Sequence, residues 1–132
     1  MPVLSALLLF AAQAQAPATL IVYRDYAEPV LFAPTLLIDG VAAGKLGQKR
    51  ALGLLLTPGE HRLELRWPML ASQKPARLRV RLGAGAQHYV EVVAQAGFGG
   101  GSALVEHDSE AGRDAISCCR VRAGGTSEPL EH

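Results

Sequence analysis

Residues 54–67 read LLLTPGEHRLELRW, and the pattern of this stretch sets the reading of the whole chain. A leucine run ends at Thr57-Pro58-Gly59-Glu60. Beyond it Leu63, Leu65 and Trp67 fall on one face, and Arg62, Glu64 and Arg66 on the other. Successive side chains of a strand point to opposite faces, so a strict period of two marks a strand with one face buried and one in water. Pro-Gly is turn punctuation: proline presets its own φ, and glycine accepts the φ that side chains resist. The stretch therefore predicts a hairpin, with residues 51–56 paired to residues 60–67.

Carried outward, the same rule predicts strands at 18–26, 35–38, 41–46, 76–82, 88–94 and 103–107. Residues 18–26 carry apolar side chains on both faces, Leu20 and Val22 against Ile21 and Tyr23, as an interior strand does. Asp39-Gly40 is the strongest short hairpin signal and joins 35–38 to 41–46. Residues 76–82 alternate Arg77, Arg79 and Arg81 with Leu78, Val80 and Leu82. The loop 68–75 lets this strand pair with 60–67. The glycine-rich 97–102 links the last two strands. From Ser109 the pattern changes to one or two helical turns capped by Asp108 or Ser109, weakened by Gly112. Residues 121–132 read as a tail. Strands of this length, with turns every ~8–12 residues, predict an all-β fold. The expected form is an immunoglobulin-like or related antiparallel β-sandwich of about seven to eight strands with a short C-terminal helical turn.

The chain has 132 residues and a formal net charge of +1, with 5% aromatic residues. Near-neutral charge gives no general pull toward nucleic acid, and so few aromatics offer no platform for stacking bases. Residues 3–12 form an apolar run shorter than the roughly 20 residues a spanning helix needs. Ala14-Gln15-Ala16 ends it with small residues suited to signal peptidase, although no Lys or Arg precedes the run. The expected organisation is a signal peptide at 1–16, a sandwich domain at 17–122 and a flexible tail at 123–132. The expected location is periplasmic or secreted, with no transmembrane segment in the mature chain. The final Leu-Glu-His reads as either native sequence or an expression scar.

Five segments carry a resemblance: LIVYRD at 20–25, LLIDGVAAGKLG at 36–47, LLLTPGEHRLEL at 54–65, HYVEVVA at 88–94 and VEHDSEAGRDAISCC at 105–119. In this order they resemble a family of short bacterial exported proteins and lipoproteins built on a β-sandwich domain of unknown function. The P-G-x-H turn is similar to that of PEGA-type surface modules. The resemblance implies an immunoglobulin-like or related sandwich in the bacterial envelope. That family has no established activity, so no catalytic residue is carried over. Its lipoprotein form needs a cysteine at the mature start, which this chain lacks.

Among chemistry-bearing residues, Arg62, Arg66, Arg77, Arg79 and Arg81 share one face if 60–67 and 76–82 pair. Such a face is either an anion patch for phosphate-bearing lipid, lipopolysaccharide or an acidic partner, or a solvated outer face that discourages edge pairing, the ordinary outcome of alternation. Glu64 among the arginines weakens the patch. Phe98, in the glycine loop, is an aromatic anchor for a partner. His61, His88 and His107 lack the spacing of a zinc site.

Adjacent Cys118 and Cys119 form a candidate disulfide or redox pair. Their Cα atoms are about 3.8 Å apart, below the usual disulfide range, so a bridge between them is expected to be redox-labile. The default is a buried thiol beside an exposed one, since free cysteine behaves as a small hydrophobe. An intermolecular bridge is the third option. No nucleophile elbow surrounds Ser72, Ser102, Ser109 or Ser117. No motif requires a cofactor. The expectation is a non-catalytic envelope protein, a protein-interaction or structural module, with a small-ligand or lipid-binding sandwich as the alternative. An enzyme would need a cleft holding His61 or His88 beside a carboxylate with a perturbed pKa.

Overall fold

The computed structural model describes residues 16–25, 32–71, 73–94 and 101–124. The expected signal peptide, apart from Ala16, lies outside the described residues, as do Phe98 and residues 125–132 of the expected tail. The protein is an all-β sandwich of two sheets. Its strands are β1 (Ala18–Arg24), β2 (Thr35–Ile38), β3 (Val41–Lys45), β4 (Arg50–Leu56), β5 (Gly59–Arg66), β6 (Ala76–Leu82), β7 (Gln87–Ala94), β8 (Ser102–His107) and β9 (Arg120–Ala123). One short helix, α1 (Ser109–Ala115), precedes β9. Among the described residues no helix is long and apolar enough to cross a membrane.

One sheet has the order β8-β7-β1-β4-β9 and the other β3-β2-β5-β6. The core between them takes Leu20, Val22, Leu52, Leu54, Val90 and Val92 from the first and Leu36, Ile38, Leu63, Leu65, Val80 and Leu82 from the second. β1 is central, with β4 antiparallel on one side and β7 parallel on the other. Its second apolar face is explained by a second, smaller cluster. Ile21, Tyr23, Ala51 and Tyr89 point away from the main core and are covered by Ala115, Ile116, Cys118 and Cys119. Among the described residues no such cluster covers the outer face of β5 and β6, which carries charged side chains.

One expectation is corrected. Thr57-Pro58-Gly59 does not close a hairpin. β4 pairs with β1 and β9 in one sheet, and β5 pairs with β2 and β6 in the other. The Pro-Gly step instead carries the chain across the sandwich, with Gly59 at φ +121. Proline and glycine mark a reversal, but both leucine-rich arms have an inward face to bury, and facing sheets satisfy that as well as a shared one. The sheets are mainly antiparallel, as expected, and two pairs, β1–β7 and β4–β9, run parallel. β9 is an added ninth strand that was not among the expected ones and runs across the expected boundary between domain and tail. It forms because α1 and the 3-10 turn at Ile116–Cys118 return the chain along the free edge of β4, the kind of crossover a parallel pair requires.

Local signals elsewhere held. Asp39 and Gly40 have φ of 52° and 87°, the doubly positive turn that suits the twist of a hairpin. Asp108 caps α1, its carboxylate accepting from the Ala111 N–H at 2.8 Å.

Candidate functional site

β5 and β6 pair antiparallel as the alternation implied, with Glu60 opposite Arg81, Arg62 opposite Arg79 and Glu64 opposite Arg77. Arg62, Arg66, Arg77, Arg79 and Arg81 are all exposed. Their shared outer face is therefore real. Glu64 lies 3.2 Å from Arg66 and 3.5 Å from Arg77, neutralising one end. Exposed pairs of this kind contribute about 0–1 kcal/mol, so Glu64 organises that end more than it stabilises it. Arg62 and Arg79 face each other, and among the described residues neither has a carboxylate within ion-pair distance. Like charges directly opposite in an antiparallel pair are unfavourable. A depression of about 420 Å³ is lined by Gly40, Arg62, Leu63, Glu64, Arg77, Leu78 and Arg79.

The connection from β5 to β6 adds a feature the alternation did not reveal. A 3-10 turn at Met69–Ala71 lifts Met69 and Leu70 into solvent, 92% and 85% exposed. This apolar tip adjoins the end of the face that carries Arg66 and Arg77. Its signal was present in sequence as two large apolar residues inside a proline-bounded loop.

A second basic surface was also missed. Lys45, Arg50 and Arg122, with Ala33, Gly47, Ala51 and Leu52, line a depression of about 300 Å³ where β3 of one sheet meets β4 and β9 of the other. Among the described residues no carboxylate lines it. Sequence reading could not assemble it, because no strand was expected where β9 carries Arg122 beside β4.

His61 is buried and holds two turns together. Its Nδ1 donates to Asp39 Oδ2 at 2.6 Å, and its Nε2 donates to the Thr57 carbonyl at 2.7 Å. Asp39 Oδ1 also accepts from the Arg62 N–H at 2.8 Å. Two acceptors facing the two ring nitrogens require both to carry protons, so this geometry selects the imidazolium. Burial opposes that charge. The hydrogen bonds to Thr57 and Asp39, with the Asp39 charge, outweigh it and hold the pKa above the usual 6.5. The Arg62 N–H, against the effect of burial and with help from His61, lowers the pKa of Asp39 below 3.8. The pair places a histidine beside a carboxylate with both pKa values shifted, and both ring nitrogens are engaged in hydrogen bonds.

The raised His61 pKa has a sign. Its contribution to stability is complete below the unfolded value of about 6.5 and is lost as pH rises through the higher folded value. Asp39→Asn is therefore expected to destabilise the protein more at about pH 5.5 than at about pH 8.5. Urea unfolding at both pH values checks this, and a pH-independent difference would remove the imidazolium from the account.

The remaining histidines do not gather. His88 Nδ1 lies 3.5 Å from Glu106, and its Nε2 accepts from the Gly83 N–H at 3.0 Å. His107 Nε2 lies 2.9 Å from Glu91. Tyr23, near His107, is pushed up to about 12 by burial and by the charges of Glu91 and Asp25.

Cys118 and Cys119 are bonded to each other, with Cα atoms 3.7 Å apart. This corrects the default of two free thiols. The backbone changes from the 3-10 turn at Cys118 to extended geometry at Cys119, which brings both side chains together over the Tyr23–Tyr89 cluster. No protein-family model, curated protein or solved structure matches the chain.

Proposed function

We propose that the protein is a non-catalytic, exported module of the bacterial envelope that docks on an anionic lipid surface through the outer face of β5 and β6. The observation that carries this reading is the exposed Met69–Leu70 tip beside a face on which Arg62 and Arg79 oppose each other, with no carboxylate at ion-pair distance from either among the described residues. An anionic headgroup would relieve that repulsion. Basic residues held near an anionic leaflet contribute about 1 kcal/mol each. Burying a Met or Leu side chain contributes about 1.5–3 kcal/mol. The two contributions separate by salt, which screens the first and not the second. The engagement of both His61 ring nitrogens supports a non-catalytic role for that histidine. Export rests on residues 1–16 and on the resemblance to exported envelope proteins.

Sedimentation with phosphatidylcholine vesicles, with and without phosphatidylglycerol, tests this. Wild type is expected to bind only the anionic vesicles. Arg79→Glu is expected to weaken binding at least tenfold. The same change converts the Arg62–Arg79 contact into an opposite-charge one and should raise stability by about 0.2–1 kcal/mol. Loss of binding without loss of fold separates docking from structure. Met69→Ser with Leu70→Ser should weaken the binding that survives high salt. Failure of wild type to bind anionic vesicles would overturn the lipid reading. Binding to an acidic protein that needs the arginines and not the tip would replace it with a protein-interaction module.

A second reading follows from the depression between β3, β4 and β9. Three cations, with no carboxylate among the described lining residues, suit a small anionic ligand at the rim of the space between the sheets. Calorimetry with inorganic phosphate, lost in Arg50→Glu with Arg122→Glu and retained in Arg79→Glu, would favour it.

A further inference from the structure

The bond between Cys118 and Cys119 joins neighbours in the chain. A disulfide stabilises a fold chiefly by closing a loop in the unfolded chain, and the gain grows with the loop enclosed. This one encloses no residue, so it is not a staple for the sandwich. Its surroundings suggest another use. One sulfur from each cysteine and a carboxylate oxygen of Asp25 lie within 4.8 Å of one another. Cys119 Sγ is 3.5 Å from the Arg24 carbonyl oxygen, an acceptor ready for an S–H. Both cysteines are half-buried and Asp25 is exposed. Asp25 also borders an open depression of about 300 Å³ with Glu91, Val93 and Ala94, which gives access from solvent.

We propose that Cys118, Cys119 and Asp25 form a redox-gated site for a thiophilic d10 cation of the zinc–cadmium class, closed as the disulfide and open as the dithiol. Opening needs a dithiol reductant. One of its thiolates attacks a sulfur of the bridge, breaking the Cys118–Cys119 bond and forming a mixed disulfide. Its second thiol then displaces the protein sulfur. The reductant leaves as a disulfide, having supplied two electrons and two protons, and both cysteines are thiols. A divalent cation then displaces the two thiol protons to solvent, forms two metal–sulfur bonds and takes an oxygen of Asp25.

Tetrahedral geometry with metal–sulfur bonds of about 2.3 Å separates the sulfurs by about 3.8 Å. Once the bridge is opened, the sulfurs have to move apart to reach that spacing, by rotation about the Cα–Cβ bonds of Cys118 and Cys119. Thiolate sulfur selects a soft or borderline ion over magnesium or calcium. The third donor anchors the site to β1, which the cysteines reach from the far end of the chain.

The test is titration of the reduced full chain, freed of reductant, with Cd(II) alone, read by the thiolate-to-cadmium charge-transfer absorption. The chain has two cysteines, so the band has no other source. The expected result is one Cd(II) per chain, no band in the oxidised protein, and loss of the band in Cys118→Ser and Cys119→Ser. Asp25→Asn should weaken binding at least tenfold. Circular dichroism and thermal melting accompany each variant. Reduction and Asp25→Asn should leave the fold intact, because the bridge closes no loop and the carboxylate is exposed. Absence of the band in reduced wild type, one Cd(II) shared by two chains, or unchanged affinity in a folded Asp25→Asn would each overturn the proposal.

Discussion

Replacing Trp67 with alanine is expected to remove about 3–5 kcal/mol of stability. Trp67 is the only tryptophan and is 6% exposed, immediately after β5. Its indole N–H donates to Ser102 Oγ on β8 at 3.0 Å, a contact between the two sheets. The Arg24 guanidinium lies 5.1 Å from the centre of its ring. Arg24 is itself fully buried at the end of β1 and donates to the Leu46 carbonyl at 3.0 Å and the Phe32 carbonyl at 3.2 Å. A buried cation is tolerated only while its surroundings compensate for lost water. Trp67→Ala thus opens a cavity, strips one face from that cation and leaves a buried hydroxyl without its donor. Against a total of about 5–15 kcal/mol for a domain, this brings the protein near unfolding. Trp67→Phe retains a ring for Arg24 and loses the donor, so a smaller loss of about 1–2 kcal/mol is expected. Urea unfolding followed by circular dichroism measures both. A Trp67→Ala loss below about 1 kcal/mol would mean that this seam does not hold the sheets together.

Gly112→Ala is expected to be the second most damaging change, against the usual rule. Alanine in place of a helical glycine normally stabilises by about 1 kcal/mol. Here a methyl group at Gly112 would fall inside van der Waals contact of Tyr89 Cβ, Cγ and Cδ1. Tyr89 is 1% exposed and belongs to a central region of its sheet, so it has little room to yield. Overpacking of this kind costs about 1–3 kcal/mol and outweighs the propensity gain. The expected outcome is loosening of α1, and with it the 3-10 turn and β9 that follow. Hydrogen exchange across residues 109–124 should accelerate selectively. A higher melting temperature in Gly112→Ala would show that α1 does not sit closely on β7.

The strand positions, the arginine face and the Asp39-Gly40 hairpin were legible because each depends on local chemistry. Alternation in ARLRVRL says which side chains meet water, whatever strand lies beside it. Asp-Gly specifies its own backbone angles. Asp108 caps a helix that begins at the next residue. The two apolar faces of 18–26 announced an interior strand, and β1 is central.

What escaped a linear reading depends on partners far apart in the chain. Thr57-Pro58-Gly59 marks a reversal but does not state whether the next strand joins the same sheet or the facing one. Arg122 lines a basic depression only because β9 reaches β4. His61 is held as an imidazolium because the turn at Asp39 and the crossover at Thr57 close on its two nitrogens. Asp25 approaches Cys118 and Cys119 only after α1 folds back over Tyr23 and Tyr89. Periodicity reports that a face is buried. Which surface buries it, and which charges that packing brings together, is settled by long-range contacts that no local window contains.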